Sequence, residues 1–307
     1  MILCCGEALI DMLPRQLPEG ENVLLPAAGG AVFNTAVALG RLGVQSGFFS
    51  GLSTDMFGRQ LEDALKHSGV DTAFCVRTDR PTTLAFVELN DGHARYTFYD
   101  ENTAGRMLTP DALPDLDERV EALHFGAISL ISEPSGSSYE ALLAREADRR
   151  VISLDPNIRA NFISDPDAHR SRMRRMIAGS DIVKVSDEDL AWLEPEKDAQ
   201  TVKQEWIEGG VSIVVETRGA QGASATTGSG SVQVQAKQVT VVDTVGAGDS
   251  FDAGLLAGLK NVGRLDKSAL RTIARDELQT ALELAASVAA VTVSRAGANP
   301  PWKDELG

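Results

Sequence analysis

The sequence predicts an α/β fold, a doubly wound and mainly parallel sheet flanked by helices, with a small β-sheet standing apart from it. Three observations carry this. Short apolar runs alternate with helical segments along most of the 307 residues, as successive strand–helix–strand units require. Two stretches interrupt that rhythm with hairpin chemistry. The C-terminal third is helical, at 249–260 and 274–291.

The elements follow in order. Residues 2–9 form an apolar run suited to a central strand. Residues 31–42 place Val32, Ala36, Leu39 and Leu42 at helical spacing, and Gly43 fits a left-handed C′ position. Residues 46–52 read as the next strand and 55–68 as the next helix, with Thr54 or Asp55 as N-cap. Runs at 122–130, 151–155, 182–186 and 211–216 continue the sheet, separated by helical segments. The first interruption is 82–89 with 95–100, two β-rich runs around an Asp91-Gly92 turn; with residues 12–25 they make the separate β-sheet. The second is a hairpin at 222–236. No internal repeat or low-complexity segment is present.

Composition narrows the function. Hydrophobic residues make up 43% of the chain, enough for a sizeable core, and 29 Lys plus Arg against 44 Asp plus Glu leave a formal charge of −15. A nucleic-acid partner selects basic surfaces, so none is expected, whereas a phosphorylated small molecule remains compatible through local cations and backbone N–H groups. Cys4, Cys5 and Cys75 form no C-x-x-C pair, so neither a zinc site nor a redox dithiol is expected, and a reducing cytoplasm fits. The N-terminus lacks a basic region and reads as a strand, not a signal peptide, and no apolar run is long enough to span a bilayer.

The most informative stretch is Val241-Val242-Asp243-Thr244-Val245-Gly246-Ala247-Gly248-Asp249-Ser250-Phe251. An apolar strand is expected to lead into Gly-Ala-Gly and then a helix. Glycines at a helix start let backbone N–H groups converge, and the helix dipole favours an anion there. Asp249, in the first turn, is placed to accept a proton from an attacking hydroxyl. The same residues also read as an ordinary tight turn with a dipole-complementing charge. No G-x-x-x-x-G-K-[ST] is present, and Phe251 stands where a dinucleotide fingerprint needs its third glycine.

The stretch D-T-V-G-A-G-D-S-F, with A-G-G-A-V-F-N-T-A at 28–36, G-E-A-L-I-D at 6–11, D-P-N-I-R at 155–159, K-V-S-D-E-D at 184–189 and T-R-G-A-Q-G at 217–222, resembles the ribokinase-like (PfkB) carbohydrate kinases and looks most like their bacterial fructokinase branch. The resemblance implies one ribokinase-like kinase domain over 1–307, with a β lid formed from about 12–28 and 82–104. It implies Asp249 as general base, with Gly246, Ala247 and Gly248 as anion hole. Asp11, Gly29, Gly30 and Asn34 are then sugar-binding, although Asp11 alone reads as a turn residue and Asn34 as an exposed polar residue. Asn157 and Arg159 follow a strand's carboxyl end, where α/β folds bind ligands. By similarity Arg159 faces the substrate or the transferred phosphate; by itself it reads equally as a surface arginine. Tyr96 and Phe98 share one strand face and are placed to cover a sugar ring.

Thr217, Gly219 and Gly222 resemble the family's nucleotide-contacting turn. Lys184 and Ser186 are assigned to the nucleotide with them. Ser186 and Asp189 stand where the family usually has an Asn-x-x-Glu pair supporting magnesium, so Asp189 is expected to act on Mg2+ through water. The backbone carbonyls of Asp243 and Val245 are candidates for a monovalent cation, K+. Asp100 and Gly105 depart from the Arg and Asp common in fructokinases. The resemblance therefore implies ATP with Mg2+ and a small sugar as partners, a cytoplasmic enzyme, and pairing of β lids in a homodimer. D-fructose, phosphorylated on its 6-hydroxyl, is the expected substrate. 2-Keto-3-deoxygluconate or another sugar of the family is the alternative, and a non-catalytic sugar sensor a further one.

Overall fold

The structure, a computed structural model, describes residues 1–90 and 93–306, so the expected Asp91-Gly92 turn lies outside the described residues. Its first strand shows how the sheet sorts its side chains. In β1 (Ile2–Cys5), Ile2 and Cys4 enter one core layer while Leu3 and Cys5 enter the other, as period-two alternation in a doubly covered strand requires. The chain continues through β2 (Leu9–Gln16), β3 (Asn22–Gly29), α1 (Ala31–Arg41), β4 (Ser46–Phe49), β5 (Gly51–Ser53), α2 (Met56–His67), β6 (Val76–Thr78), β7 (Leu84–Asn90) and β8 (His93–Tyr99). Then come β9 (Ala122–Gly126), α3 (Ser135–Glu146), β10 (Val151–Asp155), α4 (Pro166–Ala178), β11 (Ile182–Ser186), α5 (Asp187–Leu193), α6 (Ala199–Glu208), β12 (Ile213–Thr217), β13 (Ala223–Thr227) and β14 (Gly230–Val234). The last elements are α7 (Ala247–Asn261), α8 (Lys267–Leu270) and α9 (Arg275–Val293).

The eight-stranded sheet runs β14-β13-β12-β11-β10-β9-β1-β4, parallel from β12 to β4, with the 223–234 hairpin added antiparallel at one edge. One face is covered by α1, α2, α7 and α9, the other by α3 to α6. The chain builds outward from β1 to β4 and then returns to β9 on the other side of β1. That reversal opens a crevice at the carboxyl ends of β1 and β9, the usual ligand position in such sheets. Behind it, α7 and α9 cross closely because Gly254 and Gly258 lack side chains: a Cβ on either would come within 2.6 Å of the Cα of Ala285 or Ala281.

Four expectations are corrected. The 2–9 run divides at Gly6, where Val32 leaves no room for a side chain, and Leu9 begins a strand of the small sheet. The 46–52 run likewise divides: β5 pairs with β6 in a two-stranded sheet of its own. The 122–130 run ends as a strand at Gly126 and turns. Val241 and Val242 are not in a strand but 60% and 61% exposed. Their segment hydrogen-bonds to the end of α9, Val242 N–H to Val293 O at 2.8 Å, because β14 already closes that edge of the sheet. The small sheet runs β3-β2-β7-β8, and so draws on 9–29 and 84–99. The N-cap of α2 is Asp55, which accepts the Gly58 N–H at 2.7 Å.

Candidate active site

The start of α7 is the centre of the site. Gly246 adopts φ +76, a left-handed conformation that favours glycine, and Ala298 packs where its Cβ would be. No side chain caps the helix. The Ala247 N–H turns back to Thr244 O at 3.3 Å, whereas the N–H groups of Gly248 and Asp249 find no acceptor among the described residues. Uncapped N–H groups at a helix N-terminus form an anion site.

Asp249 is 7% exposed and held from α1. Asn34 Nδ2 donates to Asp249 Oδ2 at 2.8 Å, and Thr35 Oγ1 donates to Asp249 O at 3.2 Å. Asn34, 9% exposed, therefore lies on the buried side of its helix. Burial pushes the Asp249 carboxyl up to about 6, against the Asn34 hydrogen bond and Lys184, which lower it. A base at that value is ionised at neutral pH yet retains proton affinity.

Asp11 stands in the middle of β2, opposite Ala27 and Ala85, and not in a turn. A Cβ on Gly29 would overlap its carboxylate. Burial and then the charge of Asp249 push Asp11 up to about 6. A cavity of about 610 Å³ opens under the small sheet, lined by Glu7, Thr83, Tyr96, Phe98, Arg106, Ser129 and Phe162; of the expected sugar residues Tyr96 and Phe98 line it, whereas Asp11, Gly29, Gly30, Asn34, Asn157 and Arg159 do not. Tyr96 and Phe98 stack with centroids 6.1 Å apart, and Phe98 meets the Phe162 ring edge-on at 4.5 Å. Arg159 is exposed; it donates to Asn157 Oδ1 at 2.6 Å, and its charge favours the ionised forms of Asp249, Asp189 and Tyr96.

A second cavity, about 550 Å³, lies on the other side of Gly248. Thr217, Gly219 and Gly222 line it with Val241, Phe251, Ala289 and Val293, an apolar slot ending at the anion site. Lys184 and Ser186 are not among its lining residues. Lys184 is buried beneath the glycine turn, 3.0 Å from where a Gly248 Cβ would stand, and pairs with Asp155 at 2.7 Å and Asp252 at 3.6 Å. Burial alone would lower its ammonium, but Asp155 and Asp252 outweigh that and hold it well above the usual lysine range. Ser186 caps α5 by accepting the Asp189 N–H at 3.0 Å. Asp189 Oδ1 accepts the Ile158 N–H at 3.1 Å. Asp243 works through its side chain, which accepts the N–H groups of Val245 at 3.0 Å and Gly297 at 2.9 Å.

Sequence reasoning missed Glu7, Asp155, Asp252 and Arg106. Asp155 and Asp252 fall at a strand end and on an apolar helix, and only their shared partner Lys184 marks them. Arg106 donates to Asp100 Oδ1 at 2.8 Å, and Ser132 Oγ donates to Asp100 Oδ2 at 2.9 Å. The acidic replacement at 100 thus brings its own cation.

The sequence matches the pfkB family carbohydrate kinase pattern over residues 1–305. The chain belongs to the pfkB carbohydrate kinase family. Among its relatives, the kinase is 57% identical to a protein named fructokinase from Rhizobium leguminosarum bv. trifolii over 279 residues, 88% of this chain and 86% of that one. Its fold is similar to that of a fructokinase with bound ATP from Xylella fastidiosa, with TM-score 0.92 and 32% identity over 99% of this chain and 96% of that one. It is also similar to a double-mutant fructokinase from Vibrio cholerae O395 in its fructose-, ADP- and potassium-bound form, with TM-score 0.84 and 28% identity over 97% and 93% of the two chains. Among the described residues of the kinase, no helix is long and apolar enough to cross a membrane.

Proposed function

We propose that this kinase is a fructokinase that transfers the γ-phosphoryl group of ATP to the 6-hydroxyl of D-fructose. The observation that carries the reading is Asp249, buried, held by Asn34, and set in the first turn of the uncapped helix where the apolar slot ends at Ala247 and Gly248. ATP lies in the slot lined by Thr217, Gly219 and Gly222, with its phosphates at Gly246–Gly248. Fructose lies under the small sheet, with Asp11 accepting its hydroxyls and Tyr96 and Phe98 against the ring. Asp249 takes the proton of the 6-hydroxyl as its oxygen bonds to the γ-phosphorus. The bond to the β,γ-bridging oxygen breaks, ADP leaves, and the helix N-terminus carries the developing charge.

Among the described residues no three or more His, Cys, Asp or Glu side chains converge on a metal position. Mg2+ keeps several waters and is held largely by substrate phosphates, and Asp189 would be the water-bridged carboxylate. When bound with ATP it neutralises phosphate charge. The potassium in the Vibrio relative supports a K+ site at the loop that Asp243 ties to Gly297. The exposed Leu24, Leu25 and Tyr99 of the small sheet favour pairing of two lids, and three free buried thiols suit the cytoplasm.

A coupled assay over ketoses, aldoses, sugar acids and nucleosides tests the substrate. Fructose is expected to give the highest kcat/KM. Arg106, the arginine lining the cavity, is neutralised by Asp100, whereas Arg159 meets only the neutral oxygens of Asn157 and Ile158 and is the cation that keeps a sugar acid as the alternative. A tenfold preference for 2-keto-3-deoxygluconate, about 1.4 kcal/mol at the transition state, overturns fructose and leaves the kinase chemistry standing.

The small sheet acts as a lid, because a layer without its own core is held weakly and closes over bound sugar to exclude water. Solution scattering is expected to show a smaller radius of gyration with fructose present. Identical profiles with and without saturating fructose count against closure.

The pH dependence follows from the carboxyls. Asp249 acts only when ionised, so kcat/KM is expected to be level above its value of about 6 and to fall below it. Asp11, also pushed up to about 6, and Glu7, pushed up to about 7 by burial with the charge of Asp249 adding to it, titrate in the same window, so the acid limb belongs to the three carboxyls together. A kcat/KM that stays level down to pH values near ~4, the ordinary carboxyl range, would remove Asp249 as base.

A further inference from the structure

Glu7 leaves β1 where the strand order reverses, and the steps above make no use of it. It is a buried carboxylate in the floor of the cavity under the lid. Its Oε1 accepts the N–H groups of Ala31 at 2.7 Å and Val32 at 3.4 Å, and its Oε2 accepts the Ser129 N–H at 3.3 Å. Ala31 and Val32 open α1, whose own N-cap, Gly30, supplies no side chain. The cap of α1 is thus brought from another strand. Gly30, at φ +113, sits so close that a Cβ on it would stand 2.8 Å from Glu7 O. Asn34 and Thr35, within the next turn of α1, hold the carboxylate and backbone of Asp249. An unbroken line of contacts therefore runs from the cavity floor, through the first turn of α1, to Asp249.

We propose that Glu7 is a positioning residue, which sets the first turn of α1 so that Asn34 and Thr35 hold Asp249 in its attacking geometry. The proposal rests on the reading of Asp249 as the base. A cap that only stabilised the helix would lower the melting temperature and leave turnover alone; a positioning residue changes kcat.

The test is kcat and KM for Glu7→Asp, Glu7→Gln, Asn34→Ala, the Glu7→Asp/Asn34→Ala double variant, and Asp249→Asn. Glu7→Asp keeps the carboxyl but draws it back by about 1.5 Å, beyond reach of Ala31. Its kcat is expected to fall about 10²-fold, the size of a misplacement on the order of 1 Å at a reacting centre. Glu7→Gln keeps one acceptor oxygen at full reach of Ala31 but turns its NH2 toward the Ser129 N–H, and so recovers only part of that loss. KM for ATP stays within about twofold throughout, because the nucleotide slot is built from other segments. In the double variant Glu7→Asp adds little to Asn34→Ala, since both act on one carboxylate. Wild-type kcat in Glu7→Asp, or losses that multiply in the double variant, overturn the role of Glu7. Near-normal turnover in Asp249→Asn instead overturns the base assignment and the proposal with it.

Discussion

Asp249→Asn is expected to fold normally and to lose roughly 10²–10⁴-fold in kcat, the usual contribution of a general base. The amide keeps the size of the carboxylate and still offers an oxygen to Asn34 Nδ2, which now lies 2.8 Å from Asp249 Oδ2, so the local packing survives. It cannot take the proton of the attacking hydroxyl. KM for ATP is expected to change little, because the slot lined by Thr217, Gly222 and Phe251 is untouched. The acid limb of the pH profile should change as well, since one of the carboxyls titrating near 6 is gone and Asp11 loses the neighbouring charge that raises it. Steady-state kinetics with a melting curve settle the matter: turnover close to wild type in a folded protein removes Asp249 from the chemistry.

Lys184→Met is expected to have the largest effect on stability. The ammonium is the cation paired with Asp155 at 2.7 Å and approached by Asp252 at 3.6 Å, and all three side chains are buried. Asp252 Oδ2 has no hydrogen-bond partner among the described residues, and burial pushes its carboxyl well above the usual range, against Lys184, which lowers it. Removing one partner of a buried pair leaves an uncompensated charge and costs roughly 3–5 kcal/mol. For a chain of this size that lowers Tm by on the order of 10 °C. Asp155→Asn added to Lys184→Met should recover part of the loss, because it removes the orphaned charge. A single Lys184→Met variant that melts like wild type would show that the pair contributes nothing net. The geometry makes a functional cost expected too, since the ammonium underlies the Gly248 turn.

These two residues also show what could be read without coordinates. Asp249 was legible because its chemistry is local: glycines, a carboxylate and an apolar helix are adjacent in sequence, and a helix start orients its own N–H groups. The resemblance places Lys184 at the nucleotide, since nothing in K-V-S-D-E-D reveals which way a strand residue points. Its partners lie 29 and 68 positions away, at Asp155 and Asp252. Asp11 was read as a sugar ligand by similarity, yet its place within β2 and its nearness to Asp249 depend on how the small sheet docks. Val241 and Val242 misled because β-branched runs report a preference for extended backbone, not the presence of a neighbouring strand.

By itself the sequence determined the α/β class, most of the strand and helix rhythm, the hairpins and the glycine turn that opens α7. Each of these rests on periodicity or on residues within one turn of each other, where backbone geometry alone decides the outcome. Only the tertiary structure decided which carboxylates meet. The reversal of strand order between β1 and β9 brings Glu7 to Ser129, and the packing of α1 on α7 brings Asn34 to Asp249. Those contacts join residues more than a hundred positions apart, and they form because burying the apolar faces of the helices against one sheet leaves no other place for the polar groups between them.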